Sequence, residues 1–386
     1  MYSFDKIVDR DRTSNVKYDM RNSYFGKSDL LPMWVADMDF ETPYFIREAV
    51  IERAKHPIYG YSFRTEDYYQ SIIKWVKKRH NWNIERDWIL SSPGIVPALN
   101  FAVHAYTNPG DGIIVQPPVY FPFFNAIKNN GRKIIYNQLV YNEGTYNIDF
   151  EDLNKKAKEA KMLFLCSPHN PVSRCWTKDE LRELANICLK NEIIIISDEI
   201  HNDLILPGFK HYPTATLSKE IADLTVTCIA PSKTFNLAGL ATSSVIIENE
   251  NLRKKFNDKL EEFHISGINL FGMIASEAGY TYGEKWLDEM LHYLQQNYDL
   301  LESTLNNEFE TLSLVKPEAT YLAWIDFRKT GLSDDQIKNR LINKAELGLS
   351  HGPIFGPGGE GFQRMNIAAP RLFIHEAIGR LRDYFD

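Results

Sequence analysis

Cysteine is scarce in this sequence of 386 residues, and long apolar runs are missing from it. The four cysteines, Cys166, Cys175, Cys188 and Cys228, are too few for a disulfide scaffold and lack the close pairing of a zinc site. No stretch approaches the roughly 18 apolar residues of a membrane span, and the first residues lack the apolar core of a signal peptide. These absences predict a cytoplasmic protein with reduced thiols, no bound metal and no membrane contact.

An excess of positive charge is also lacking. The chain has 44 Lys and Arg against 51 Asp and Glu, a formal net charge of −7, and no basic tail. Because nucleic-acid binding normally needs a concentrated basic face, nucleic acid is not an expected partner. Hydrophobic residues at 44% and charged residues at 25% are typical of a globular protein, and the length allows two or three domains.

Short apolar runs alternate with helix-like segments through the middle of the chain. The runs are predicted to be buried strands, at residues 88–92, 112–116, 162–167, 193–199, 225–230 and 243–247. Residues 179–190, between two of these runs, carry apolar side chains every three or four positions, which predicts a helix. The alternation indicates an α/β fold with a mostly parallel central sheet and helices on both faces. In such sheets, ligands bind beyond the carboxyl ends of the strands.

The pattern changes at about residue 285. A long helical stretch is followed by an apolar run at 321–327 and a further helical segment near 335–346, which predicts a smaller α+β domain over 285–386. Residues 43–284 then form the large domain. Residues 1–42 contain no βα unit of their own, so they are predicted to be an N-terminal arm that completes the small domain.

Polar residues of an unusual kind follow three of the predicted strands. These are SPHNP at 167–171, SDEIH at 197–201 and PSKTFN at 231–236. With these motifs the sequence resembles fold type I pyridoxal-5′-phosphate (PLP) enzymes of the class I/II aminotransferase superfamily, and within them the MalY/PatB-type cystathionine β-lyases. The resemblance covers essentially the whole chain, because further matches occur at 29–40, 59–62, 117–123, 320–324 and 360–366. It implies a PLP cofactor, an amino-acid substrate and a homodimer with shared active sites.

Lys233 and Asp198 are the central candidates. A cofactor that stabilises carbanions must be held as a Schiff base, and Lys233 offers the amine directly after a buried run, where a solvated surface lysine is not expected. Asp198 ends another buried run, where a charge is costly unless it is paired, and a protonated pyridine nitrogen is a suitable partner. The alternatives for Asp198 are a helix cap or an ion pair with an arginine.

Two further candidates concern the cofactor's ring hydroxyl and its phosphate. Asn170 resembles the residue that hydrogen-bonds the hydroxyl, although an asparagine before Pro171 also suits a turn. Phosphate needs backbone donors or a helix N-terminus, and residues 91–96 pass from a predicted strand into a predicted helix through Gly94. The amides of Ile95 and Val96 are therefore the expected cradle.

The remaining site residues are implied by the resemblance. Tyr120 matches the aromatic ring that stacks on the pyridine, Ser232 and His201 fall among the cofactor contacts, and Tyr61 matches a residue that reaches the phosphate of the neighbouring subunit. Arg364 matches the arginine that receives the substrate α-carboxylate, a bidentate task that suits a planar guanidinium, and its alternative is a surface ion pair. Ala36 is likewise implied to be a substrate-binding residue.

Two departures from the aminotransferase pattern favour a β-lyase. Aminotransferases of this fold commonly place a tyrosine three residues after the aspartate and an arginine eight residues after the lysine, where this chain has His201 and Ala241. In a β-lyase, Lys233 takes the Cα proton and a thiolate leaves from Cβ, so that cystathionine gives a thiol, pyruvate and ammonia. Ser173 is a departure of another kind: it stands where the NP motif of the resembled family usually continues with glycine, and it concerns the geometry of the substrate-side loop.

Three alternatives remain at this point. An aminotransferase would share every cofactor contact and differ in the proton transfers that follow, since fold does not settle function. The MalY resemblance also permits a regulatory protein that binds a transcription factor. An α/β binding protein without a cofactor would be colourless when purified.

Overall fold

The structure is a computed structural model that describes residues 2–265 and 269–385. The helices are α1 Val16–Asp19, α2 Arg21–Phe25, α3 Tyr44–Lys55, α4 Glu66–His80, α5 Ile95–Tyr106, α6 Pro122–Lys128, α7 Phe150–Lys156, α8 Lys178–Lys190, α9 Lys219–Ala222, α10 Pro231–Thr234, α11 Glu250–Glu262, α12 Leu270–Tyr282, α13 Glu284–Glu308, α14 Asp334–Asn343 and α15 Arg371–Phe385. The strands are β1 Leu31–Pro32, β2 Ile89–Ser92, β3 Gly112–Val115, β4 Lys133–Tyr136, β5 Val140–Asn142, β6 Thr145–Asn147, β7 Ala160–Cys166, β8 Ile194–Asp198, β9 Thr225–Ile229, β10 Ser243–Ile246, β11 Ser313–Leu314, β12 Leu322–Asp326, β13 Leu347–Gly348, β14 Ser350–His351 and β15 Phe362–Asn366.

A seven-stranded sheet organises the middle of the chain, in the order β2-β10-β9-β8-β7-β3-β4. Only β10 runs antiparallel to its neighbours, so the predicted α/β class with a mostly parallel sheet is confirmed. The apolar runs became strands because both faces of the sheet are covered, and every residue of β3, β9 and β10 is buried. The edge strand β4 was not predicted, because its run KIIY is short and only partly buried.

The helix α8 shows how the local sequence sets an element that packs on this sheet. Thr177 accepts a hydrogen bond from the backbone N–H of Glu180, and the Glu180 carboxylate accepts one from the backbone N–H of Thr177, which forms a capping box. The apolar side chains of the predicted stripe are the ones that are buried, namely Leu181, Leu184, Ala185 and Cys188. The helix therefore begins at its cap and buries one face.

The C-terminal part has its own antiparallel sheet, in the order β11-β12-β15-β14. The long helix α13 packs against α15 and β11 beside it. The short strand β1 pairs in parallel with β13, through Leu31 with Leu347 and Pro32 with Gly348, so the N-terminal segment joins the C-terminal part. The domain boundaries at residues 42 and 284 stay predictions.

This architecture brings three strand ends to one place. Strands β7, β8 and β9 are adjacent and parallel, so the residues that follow them meet at one edge of the sheet. Strand β15 of the smaller sheet carries Arg364, which lines the same cavity. Across residues 2–265 and 269–385, no helix combines the length and apolarity that a membrane crossing requires.

Candidate active site

A cavity of about 410 Å³ lies beyond the ends of these strands. It is lined by nearly all the predicted site residues: Ala36, Gly94, Ile95, Val96, Tyr120, Asn170, Asp198, His201, Ser232, Lys233 and Arg364. Tyr61 is the exception, because its side chain is fully exposed and does not line the cavity of its own chain. The fold thus gathers residues that are up to about three hundred positions apart in the sequence into one site.

Lys233 lies on the four-residue helix α10, directly after β9. Its side chain is partly buried, and Nζ donates a hydrogen bond to the carbonyl oxygen of Ala36 at 2.5 Å. Burial lowers the pKa of the amine to about 8, and the negative charge of Asp37 opposes that decrease. A lysine with such a pKa has an appreciable uncharged fraction near neutral pH, which a nucleophilic amine requires.

Asp198 is a buried carboxylate without a basic partner. Asp198 is 2% exposed, and its Oδ1 accepts a hydrogen bond from the backbone N–H of Ile200 at 3.2 Å. No described basic side chain forms an ion pair with it. Burial raises the pKa of this carboxyl to about 7. The free-energy cost of ionising a buried carboxyl is offset when a cation binds beside it. The surroundings of Asp198 therefore fit a bound group with a protonated ring nitrogen.

Arg364 and Asn170 are hydrogen-bonded to each other in the lining of the cavity. Nη1 of Arg364 donates to Oδ1 of Asn170 at 2.9 Å, and Nη2 donates to the carbonyl of Trp34 at 2.9 Å and to Oγ of Ser350 at 3.1 Å. Nε is buried without a partner, and no described acidic side chain pairs with the guanidinium. Burial lowers the pKa of Arg364 to about 10, so it stays cationic. A buried, unpaired guanidinium fits a carboxylate ligand.

The N-terminus of α5 offers free backbone donors at another side of the cavity. The helix begins at Ile95 after Gly94, and no side chain caps it. The first N–H groups of a helix have no partner within it, and the helix dipole places partial positive charge there. Gly94, Ile95 and Val96 line the cavity at this point, an arrangement that fits a phosphate group.

Tyr120 and His201 complete the predicted lining. Burial raises the pKa of Tyr120 to about 12, with a further contribution from the charge of Asp198, so the phenol is neutral. His201 is 2% exposed, its Nδ1 has no hydrogen-bond partner, and its ring lies edge-on to that of Tyr321 at 6.0 Å. Burial lowers the pKa of His201 well below its usual value, so the imidazole is neutral too.

A second layer of buried side chains behind Lys233 was not anticipated from the sequence. Asp203 accepts hydrogen bonds from Nε1 of Trp75 at 3.1 Å, from Nε2 of His80 at 3.0 Å and from Oγ1 of Thr234 at 2.8 Å. Because Thr234 follows Lys233, this carboxylate anchors the short helix that carries the amine. The signal in the sequence was a third acidic residue soon after the β8 run, but its partners are distant in the chain.

The loop that supplies Ala36 is held by ion pairs that the sequence did not reveal either. Arg10 contacts Asp37 at 2.8 Å and Asp39 at 2.7 Å, and the fully buried Lys17 contacts Asp39 at 2.5 Å. The hydroxyl of Tyr321 donates to the Ala36 carbonyl at 3.0 Å. The N-terminal segment therefore fixes the carbonyl oxygen that accepts from Lys233.

Ser173, the departure from the usual glycine, has a physical explanation. Its φ is +59°, in the left-handed region that favours glycine. Its Oγ donates to the carbonyl of Leu322 at 2.5 Å, and its own carbonyl accepts from the N–H groups of Glu318 and Ala319. These hydrogen bonds tie the serine to the segment that leads into β12 and offset the cost of its conformation.

The chain has a lysine, an aspartate and an asparagine at the ends of three adjacent parallel strands, an arrangement that places it among the PLP-dependent enzymes of fold type I. The chain belongs to the family "Aminotransferase class I and II", whose sequence model matches residues 28–381.

Known proteins resemble the chain over its full length. It is 43% identical over 382 residues to the cystathionine β-lyase PatB of Bacillus subtilis strain 168, covering 98% of this chain and 99% of that protein. A PLP-bound protein from Clostridium difficile 630, provisionally named an aminotransferase, superposes with a TM-score of 0.99 at 43% identity and covers 100% of both chains. Cystalysin from Treponema denticola, which contains PLP, superposes with a TM-score of 0.95 at 39% identity, covering 99% of this chain and 98% of its own.

Proposed function

We propose that the protein is a PLP-dependent carbon–sulfur β-lyase. It cleaves the Cβ–S bond of cystathionine or of other cysteine S-conjugates and, with one water molecule, releases a thiol, pyruvate and ammonia. PLP-dependent chemistry on an amino acid is supported by Lys233, Asp198 and Arg364 in one cavity: an amine with a lowered pKa, a carboxylate without a cation and a guanidinium without an anion. The observation that carries the choice of a β-lyase is that His201 and Ala241 line this cavity at the positions where aminotransferases of this fold commonly have tyrosine and arginine. The likeness to cystathionine β-lyase supports the same reaction.

Bound PLP supplies an electron sink that stabilises negative charge developing at the substrate Cα. Asp198 would hold the proton on the ring nitrogen, and this pairing would offset the cost of its own buried charge. The N-terminus of α5 would bind the phosphate, with Ser232 in the lining of the same cavity. Asn170 would bind the ring hydroxyl, and Tyr120 would pack against the ring; both side chains line the cavity.

The substrate is held by its α-carboxylate. Arg364 receives the carboxylate as a bidentate pair, which orients Cα towards Lys233. The amine of Lys233 then takes the Cα proton as general base, a role for which its lowered pKa is suited. The Ala36 carbonyl, which accepts from Lys233 Nζ, restrains the amine near this position. The Cβ–S bond breaks as the thiolate leaves, and the three-carbon fragment is hydrolysed to pyruvate and ammonia.

Release of pyruvate separates this reaction from transamination. His201 and Ala241 line the cavity where aminotransferases of this fold commonly have tyrosine and arginine. The purified holoenzyme should release pyruvate from a cysteine S-conjugate without any added keto acid. The variant Lys233→Ala is the matched control and should release almost none. Product formation that required a keto-acid acceptor would instead establish an aminotransferase.

The active enzyme is a homodimer in which each cavity is completed by Tyr61 of the partner subunit. Tyr61 lies outside the cavity of its own chain and is fully exposed. Its apolar neighbours Ile58, Tyr59 and Phe63 are exposed by 66%, 59% and 75%, an unusual concentration for a surface that stays in water. A two-fold arrangement would cover this segment and bring the tyrosine to the neighbouring phosphate.

The proposal also includes the division of the chain into domains and the compartment in which the enzyme works. The chain divides into an arm at 1–42, a large domain at 43–284 and a small domain at 285–386, which is supported by the start of α13 at Glu284 and by the pairing of β1 with β13. The enzyme works in the cytoplasm, which is supported by its four cysteines, all of them buried free thiols.

A further inference from the structure

The open side of the cavity has an aromatic wall. Tyr24 on α2 stacks on Trp34 with the ring centroids 4.1 Å apart and the planes inclined by 28°, and Phe25 packs edge-on against Trp34 at 5.4 Å. Tyr24 and Trp34 line the cavity together with Phe121 and Ile354. Tyr24 is 50% exposed and Phe121 38% exposed, so this wall lies where the cavity meets solvent.

The polar groups of Trp34 are already used, which leaves the hydroxyl of the half-exposed Tyr24 as a polar group of this wall. The indole N–H of Trp34 donates to the carbonyl of Lys17 at 3.0 Å, so it is not available to a ligand. The carbonyl of Trp34 accepts from Arg364 and from Ser350. The wall therefore presents mainly ring faces and edges to a bound molecule, together with the neutral hydroxyl of Tyr24.

The charged side chains that line the cavity have all been given functions. Among the described residues they are Asp198, Lys233 and Arg364, since His201 is neutral. The proposed function assigns them to the ring nitrogen, the Cα proton and the α-carboxylate. In the lining that the described part of this chain supplies, no further charged side chain is left for the second ammonium and the second carboxylate that cystathionine carries beyond its sulfur. The segment that the proposed dimer would add beside Tyr61 exposes the apolar side chains of Ile58, Tyr59 and Phe63.

We propose that the enzyme prefers cysteine S-conjugates with an apolar alkyl or aryl substituent on sulfur over cystathionine, and that Tyr24 and Trp34 determine this preference. The inference rests on the proposed lyase function. A substrate bound by Arg364, with Cα at Lys233, directs its sulfur substituent towards the open side. An apolar substituent removes its own surface and that of the wall from water, which is favourable in proportion to the area covered. A zwitterionic end finds no partner there and loses hydration if it enters.

The test compares pyruvate release by the holoenzyme from S-benzylcysteine, S-methylcysteine and cystathionine. Wild type should show a kcat/KM for S-benzylcysteine at least about tenfold above that for cystathionine, a ratio in the range that one or two methylene contacts supply. Tyr24→Ala should reduce this ratio about tenfold, mainly through a higher KM for the benzyl substrate. Differences in thiol acidity between the substrates enter the ratio of every variant equally, so they cancel when the ratio of Tyr24→Ala is compared with that of wild type.

Tyr24→Phe is the matched control, because it keeps the ring that stacks on Trp34 and should keep the ratio. Phe121→Ala is a second variant at the same wall and should also lower the ratio, so the test does not depend on one substitution. Equal or better turnover of cystathionine by wild type would overturn the preference. So would an equal loss for both substrates in Tyr24→Ala. Absence of pyruvate from all three substrates would instead refute the lyase function itself.

Discussion

Replacement of Asp198 by asparagine should stabilise the protein in its cofactor-free form. Burial raises the pKa of this carboxyl from 3.8 to about 7, and each pKa unit corresponds to about 1.4 kcal/mol of folding free energy. The ionised side chain therefore costs the cofactor-free fold about 4 kcal/mol at pH 8. Asparagine has nearly the same shape and keeps the acceptor for the N–H of Ile200, but it carries no charge.

The sign of the pH dependence follows from linkage. A carboxyl whose pKa is raised on folding contributes stability below its unfolded pKa, and this contribution is lost as the pH rises through the folded value. The wild type should lose about 2 to 3 kcal/mol at this site between pH 5 and pH 8, and Asp198→Asn should not. The advantage of the variant should thus be small at pH 5 and larger at pH 8.

Urea unfolding of the cofactor-free proteins at both pH values measures this difference. Asp87→Asn, at an exposed carboxylate, is the matched control and should show no such change with pH. Added PLP should stabilise the wild type more than Asp198→Asn, because only the wild type offers a carboxylate to the protonated ring nitrogen. A variant that is less stable than wild type at pH 8, or whose advantage is the same at both pH values, would refute the reasoning.

Three further predictions concern binding, positioning and assembly. Arg364→Lys keeps the positive charge but loses the planar guanidinium, so kcat/KM should fall about 10- to 150-fold, the equivalent of one charge-assisted hydrogen bond. A loss below about threefold would contradict the assigned role. Thr234→Val removes the bond to the buried carboxylate behind Lys233 and should lower kcat about tenfold with little change in KM. Thr225→Val, which also loses a buried threonine hydrogen bond, is its control, and equal effects would show that Thr234 is merely structural. Heterodimers of Tyr61→Phe and Lys233→Ala, verified by mass, should regain about half of the wild-type activity, because independent shared sites place both lesions in one cavity; no gain would exclude the shared-site arrangement.

The fold could be predicted where the chain is uniformly apolar. Strands β7, β8 and β9 are buried on both faces, so they appear in the sequence as continuous runs that end in polar residues. Because neighbouring parallel strands end at one edge, those polar residues also predicted the position of the cavity. Strand β4 escaped prediction because an edge strand needs less apolar sequence than a central one.

The parts that could not be predicted depend on contacts between distant segments. Asp203 is close to Asp198 in the sequence, but its partner His80 lies 123 positions away, and nothing local links the two. Tyr24 meets Trp34 only because the short helix α2 folds back over the loop that follows β1. Tyr61 was predicted to act in a neighbouring subunit, and its position outside the cavity of its own chain leaves that prediction to experiment.

Chemical identification of the cofactor-bearing lysine tests the central claim most directly. Purified holoenzyme should be yellow, and borohydride should bleach it while fixing the cofactor to one lysine as a stable amine. Mass mapping of the digest should place the reduced cofactor on the peptide that contains Lys233, and should leave the buried Lys17 unmodified. A label on any other lysine, or no label on the Lys233 peptide of an active preparation, would contradict the account.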